Sequence, residues 1–188
     1  MKRLSTRNYE HNQKIPLPAE PINGQSLGAV SDMKYGRSTV SYSGCEVIAV
    51  YNALWLAGTP HPFPEIARYM ERFRILLGYW GANLFLLGHC LRHYGLHAKR
   101  VRRRQKITEA LANGQTALLV YWVGKRFRSP VHTVCIRAGH AGHTGQICVY
   151  NQYNNCDHAV HLTEDALFEK HVLFAYLTGK EPANPKRE

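Results

Sequence analysis

The stretch from Ser43 to Gly58 most constrains how this chain can fold. Val47, Ile48, Tyr51, Leu54 and Trp55 recur there at helical spacing, and Gly58 suits the far end. Ser43 is a good N-cap residue and Glu46 completes a capping box, so the spacing predicts a helix from about Gly44 to Ala57. That start puts Cys45 in the first turn, where unpaired backbone N–H groups and the positive end of the helix dipole stabilise an anion. A thiolate is the nucleophilic form of cysteine, and this position lowers a thiol's pKa. The alternative is a small buried residue at a packed helix start, and the segment by itself favours neither.

Beyond this helix the pattern changes once. A second helix is expected from about Pro64 to Arg74 and a third from about Asn83 to Tyr94. In the third, Leu84, Leu87 and Leu91 share one side and Gly95 is the stop. A short helix from about Thr108 to Asn113 ends at Gly114. Thr116 to Val123, Val131 to Arg137, Gln146 to Asn151 and Val172 to Leu177 then read as strands, with a short helix after Thr163. Helices followed by mainly antiparallel strands give an α+β fold. Residues 1–26, with Pro16, Pro18 and Pro21 among polar residues, read as an extended N-terminal arm ahead of a domain over 27–188.

Composition narrows the class. A chain of 188 residues, 45% hydrophobic and 20% charged, is expected to form one globular domain rather than a disordered segment. No apolar run approaches the roughly 18 to 20 residues of a membrane span, and the basic N-terminus has no apolar stretch behind it. A cytoplasmic protein without membrane insertion is therefore expected. Its five cysteines are odd in number and form no C-x-x-C pair, which favours free thiols over a disulfide framework. The formal net charge of +11 is concentrated in Lys99 to Lys106. Such a run could hold an anionic partner (acidic peptide, nucleic acid or lipid), or simply form a solvated edge strand or loop. No nucleic-acid-binding motif accompanies it.

The later strands hold a partner for an activated cysteine. Strand alternation puts His132, Val134 and Ile136 on one face, with Thr133 and Cys135 on the other. An imidazole at His132 could take the thiol proton and later protonate a leaving amine; a structural histidine is the alternative. Asn151 closes the run Ile147-Cys148-Val149-Tyr150-Asn151. Its amide could orient the imidazole by accepting the other N–H, or it could be a turn residue of the loop through Asn154 and Asn155. The joint order of helix-start Cys, strand His and strand-end Asn is stronger than any single position.

These residues resemble the papain-like cysteine peptidase fold, and especially the C39 branch that processes bacteriocin leaders. The resemblance covers about residues 30–178. Gly44-Cys45 opening an apolar helix resembles the nucleophile segment. Gly81-Ala82-Asn83 through Tyr94-Gly95-Leu96 resembles that branch's middle helix, and Ala112 to Thr116 the loop into its central strand. His132-Thr133-Val134-Cys135-Ile136 resembles the histidine strand. The resemblance implies a thiol hydrolase, a cysteine peptidase or amidase acting on a peptide or protein substrate. Cys45 would be the nucleophile, His132 the general base and acid, and Asn151 the orienting residue. The family's usual oxyanion glutamine, six residues before the cysteine, is Thr39 here, and Glu46 stands where glycine is common. Losing one oxyanion donor costs on the order of 3 kcal/mol of transition-state stabilisation. The resemblance does not extend to the transporter that leader-exporting members carry.

Two other chemistries compete with this one. His140 with His143, and Cys156-Asp157-His158 with His161, supply close pairs of zinc-ligand types. His132 and Cys135 point to opposite faces of a strand and make poor joint ligands. The reading adopted has no metal and no cofactor. The rival to a hydrolase is a catalytically weak or inactive binding module on the same scaffold, holding an acidic peptide or nucleic acid at 99–106, or an acyl or amide transferase. Oligomeric state is left open.

Overall fold

A computed structural model describes residues 3–124, 129–139, 142–153 and 156–179. The expectations that fall on His140 and on Asn154 and Asn155 lie outside these residues. Helix α1 (Leu4–Asn12) opens the chain, where an extended arm was expected. It carries no apolar stripe and is held by polar contacts instead. Asn8 Nδ2 donates to Gly36 O at 2.8 Å and to Glu71 Oε1 at 2.6 Å, and Asn12 pairs with both backbone groups of Lys34. From Lys14 to Gly28 there is no regular element.

A two-residue hairpin, β1 (Lys34–Tyr35) and β2 (Ser38–Thr39), leads into the single-turn helix α2 (Val40–Ser43) and then α3 (Cys45–Leu56). Every residue of α3 from Cys45 to Leu54 is buried, including Glu46 and Asn52, so this is a core helix enclosed on all sides. Helix α4 (Phe63–Met70) is amphipathic, burying Phe63, Ile66, Ala67 and Met70 at helical spacing. The third expected helix is a 3-10 turn (Leu84–Leu86) continued by α5 (Leu87–His93) and stopped by left-handed Gly95.

Strand β3 (His97–Val101) and helix α6 (Arg104–Ala112) divide the basic run. The helix starts inside that run, earlier than the expected Thr108, because Arg104 is anchored by Glu164 and Asp165. Strands β4 (Thr116–Trp122), β5 (Val131–Ala138), β6 (Ile147–Tyr150) and β7 (Val160–Leu162), helix α7 (Glu164–Phe168, capped by Thr163) and β8 (His171–Gly179) complete the fold. The sheet order is β3-β8-β4-β5-β6-β7, with every pairing antiparallel.

Period-two alternation splits the sheet between two cores. Leu118, Val120, Cys135, Cys148 and Tyr150 join α3, α4 and α5 on one face. Leu119, Tyr121, Val134, Ile136 and Val149 join Ile107 and Leu111 of α6 on the other. Each fully buried aliphatic side chain contributes roughly 1.5 to 3 kcal/mol, so the two layers hold the sheet rigid between them.

Candidate active site

The start of α3 is built by close approach. Thr39 Oγ1 accepts the Tyr42 amide and caps α2, and Gly44 links α2 directly to α3. A Cβ at Gly44 would lie 2.5 Å from Val40 Cγ1, so only glycine lets the two helices abut. The expected capping box does not form. Gly44 is the N-cap, Ser43 Oγ donates to Thr39 O at 3.3 Å, and Glu46 turns inward.

Cys45 is 7% exposed. Its sulfur meets the backbone N–H of Thr133 on β5 and the carboxyl of Glu46. Burial pushes the thiol well above its ordinary value, the Glu46 charge adds to the rise, and the Thr133 N–H opposes it. The lowered pKa expected from a helix N-terminus is thus overturned: desolvation and a neighbouring carboxylate outweigh the dipole. Glu46 is itself raised to about 7 by burial, against the pull of its own N–H, the Cys45 thiol and the Ala82 N–H.

His132 lies on the face expected of it, between the rings of Tyr121 and Tyr153 at 5.9 Å and 5.2 Å. Burial lowers its pKa to about 4, the Asn151 carbonyl opposes the fall, and the charge of Lys170 reinforces it. His132 Nε2 lies 2.7 Å from the main-chain oxygen of Asn151. A carbonyl only accepts, so Nε2 carries the proton and Nδ1 of the neutral ring is the basic nitrogen.

Asn151 orients the ring with its backbone, where the sequence had suggested its amide. Its side chain is turned to the N-terminal segment: Gln25 N donates to Asn151 Oδ1 at 3.0 Å, and Asn151 N donates to Asn23 Oδ1 at 2.9 Å. Gln25 Nε2 also donates to Ser41 O at 2.8 Å, and Asn52 of α3 pairs with both backbone groups of Ile22. Residues 22–25 therefore strap α3 to the end of β6. The structure brings His132 and Asn151 together and sets Cys45 against the amide of the residue after His132. Among the described residues no hydrogen bond joins the Cys45 thiol to the His132 ring.

Three contributors were missed from sequence. The Thr133 amide and the inward Glu46 depend on tertiary packing. The strap at Ile22–Gln25 has no periodicity to betray it. Of the zinc-ligand types, His143 stacks on His161 at 3.6 Å and His158 pairs with Asp157. No group of three or more His, Cys, Asp or Glu among the described residues is arranged to hold a metal ion. His132 and Cys135 occupy opposite faces of β5, as alternation requires.

No protein-family model matches this chain, and no significant match was found among curated protein sequences. Solved structures do match. The double glycine motif protease from an AMS/PCAT transporter, in complex with the leader peptide, is similar at 14% identity with a TM-score of 0.50. That likeness covers 73% of this chain and 84% of the other. The peptidase domain of Streptococcus ComA, a bi-functional ABC transporter in a quorum sensing pathway, gives 6% identity and a TM-score of 0.53 over 73% of this chain and 91% of that one. The chain has an α+β, papain-like fold of the C39 peptidase type.

Proposed function

We propose that the protein is a thiol hydrolase that cleaves a peptide or amide bond. The observation that carries this reading is the position of Cys45: first residue of a buried core helix, its sulfur against the amide of Thr133, the residue that follows His132 in the chain, whose ring Asn151 holds. The likeness in fold to cysteine peptidase domains supports it.

Cys45 Sγ attacks the carbonyl carbon while its proton passes to Nδ1 of the neutral His132 ring. The C–N bond breaks, the leaving amine takes that proton, and a thioester remains. Water attacks the thioester, releasing the acid and restoring the thiol. The Cys45 N–H and the positive end of α3 stabilise the oxyanion. Sulfur and ring close on each other when substrate enters, since catalytic contacts tighten from their apo geometry. Reducing cytoplasm suits a chain with five free cysteines.

The test is cleavage of a proteome-derived peptide library, read as new termini by mass spectrometry. Wild type cleaves, and Cys45→Ala and His132→Ala do not. Cleavage that survives Cys45→Ala sinks the reading.

The protonated thiol favours a second reading, a non-cleaving module that binds an anionic partner along 99–106. Lys99 and Arg100 are exposed on edge strand β3. Oligonucleotide or acidic-peptide affinity that falls steeply with salt marks that alternative.

A further inference from the structure

Residues 74–82 form a loop with an unusual surface. Its base is closed by the Arg74↔Ala82 bridge and by Ile75 N donating to Gly81 O at 2.9 Å. At its tip Leu76 and Leu77 sit at φ of 44° and 60°, a left-handed backbone that leucine avoids. The tip is held there. Arg37 N donates to Leu77 O at 2.9 Å, and Gly36 approaches so closely that a Cβ would lie 2.3 Å from that oxygen. The strain serves presentation: Trp80 is 72% exposed, Leu76 59%, Tyr79 50% and Leu77 48%. Single exposed apolar residues are ordinary, but a contiguous run of them marks an interaction surface.

Cations stand beside this run. Tyr79 shares an open groove with Arg7, Lys34 and Arg37, and among the described residues no acidic side chain lines it. None of these three cations forms an ion pair among the described residues. Leucine and tryptophan at a tip, tyrosine at its margin and arginine and lysine behind are the chemistry of an amphipathic interface meeting anionic headgroups. No helix among the described residues is long and apolar enough to cross a membrane, so the contact is with the surface.

We propose that the 75–80 loop and the Arg7–Lys34–Arg37 groove form a docking surface for an anionic lipid bilayer. The apolar tip enters the boundary between headgroups and chains, and the cations face the phosphates. This surface adjoins the start of α3, since Thr39 and Tyr42 line the groove and Gly81 packs on Glu46, but its role does not depend on the chemistry of Cys45 and His132.

The test is co-sedimentation of the full chain with phosphatidylcholine vesicles, plain or containing about one-third phosphatidylserine. Binding to the anionic vesicles is expected to exceed binding to plain ones about tenfold and to fall with salt. Leu76→Ser with Trp80→Ser should lower it about tenfold, and Lys34→Ala with Arg37→Ala should flatten its salt dependence. Trp80 emission should shift to the blue on binding, a change that Trp80→Phe removes. These side chains are exposed, so an unchanged melting temperature checks that the variants are folded, and Tyr79→Ser serves as a further variant. Absence of binding overturns the proposal, as does equal binding by the tip variant. Binding abolished by Lys99→Ala with Arg100→Ala, and untouched by the tip substitutions, overturns it too.

Discussion

The main-chain oxygen of Asn151 holds His132 Nε2 at 2.7 Å, while the amide of the same residue is bonded to Gln25. Ring orientation and the strap are thus separate tasks of one residue. Asn151 has φ of 59°, which glycine adopts freely. Asn151→Gly should cost about 1 to 3 kcal/mol through the lost Gln25 bonds. The His132 ring should still titrate near about 4 by NMR. A return to about 6.5, the ordinary value, shows that the side chain positions the ring after all.

Two buried groups set opposite pH dependences. Glu46 is raised from 4.5 to about 7, so its contribution to stability is fully present below 4.5 and lost as pH rises through 7. His132 is lowered from 6.5 to about 4, so its contribution is present above 6.5 and lost as pH falls through 4. Each is worth about 3 kcal/mol by linkage. Urea unfolding of the wild type should be nearly level between these limits. Glu46→Gln should gain about 3 kcal/mol from pH 4 to pH 7, and His132→Gln should lose about as much over the same range. Parallel profiles for the two variants contradict the assignment.

Cys156 is the least buried of the five thiols and should be alkylated first by iodoacetamide at neutral pH, with Cys45 lagging. Glu46→Gln removes one of the charges that hold Cys45 protonated. Cys45 alkylation should then speed up, read by mass spectrometry of the labelled peptide. An unchanged rate means that burial alone protects the sulfur.

Gly81 sits at φ of 69°, and a Cβ there would lie 2.6 Å from Glu46 Oε2. Gly81→Ala should destabilise by about 1 to 3 kcal/mol, part backbone and part clash. In a Glu46→Ala background the clash is gone, so the double-mutant cycle should show coupling of at least about 0.5 kcal/mol. Strict additivity rules out the close packing.

The strap depends on Asn52, which gives and takes hydrogen bonds of 2.8 Å with Ile22 inside the core. Asn52→Ala should cost about 2 to 3 kcal/mol, since it leaves the Ile22 amide and carbonyl unpaired in a buried place. Limited proteolysis should then cut the segment between Lys14 and Gly28 faster than in the wild type.

Elements with a clear period were legible from sequence. The α3 spacing, the alternation of β5 and β6 and the Gly95 stop all correspond to observed structure. So did the α+β arrangement, read from helices preceding an antiparallel sheet, and the papain-like fold that the resemblance around Cys45 and His132 implied. Helix α1 was hidden because Asn8 and Asn12, rather than apolar residues, bury it. The inward turn of Glu46 defeated the capping-box rule, since its carboxyl takes its own N–H, the Cys45 thiol and the Ala82 amide rather than the N-cap N–H. Thr133 was assigned to the correct face, but the contact of its amide with Cys45 belongs to tertiary packing, which local pattern does not encode.

Strand β8 lies between β3 and β4, so Ala175 is partnered by Val101 on one side and by Leu119 on the other. During synthesis those two strands leave the ribosome long before the one that joins them. Until it arrives, β3 has no neighbour and β4 has one open edge. A nascent chain of this protein therefore carries exposed strand edges from the synthesis of β3 until that of β8, a window in which chaperones or mispairing compete for it.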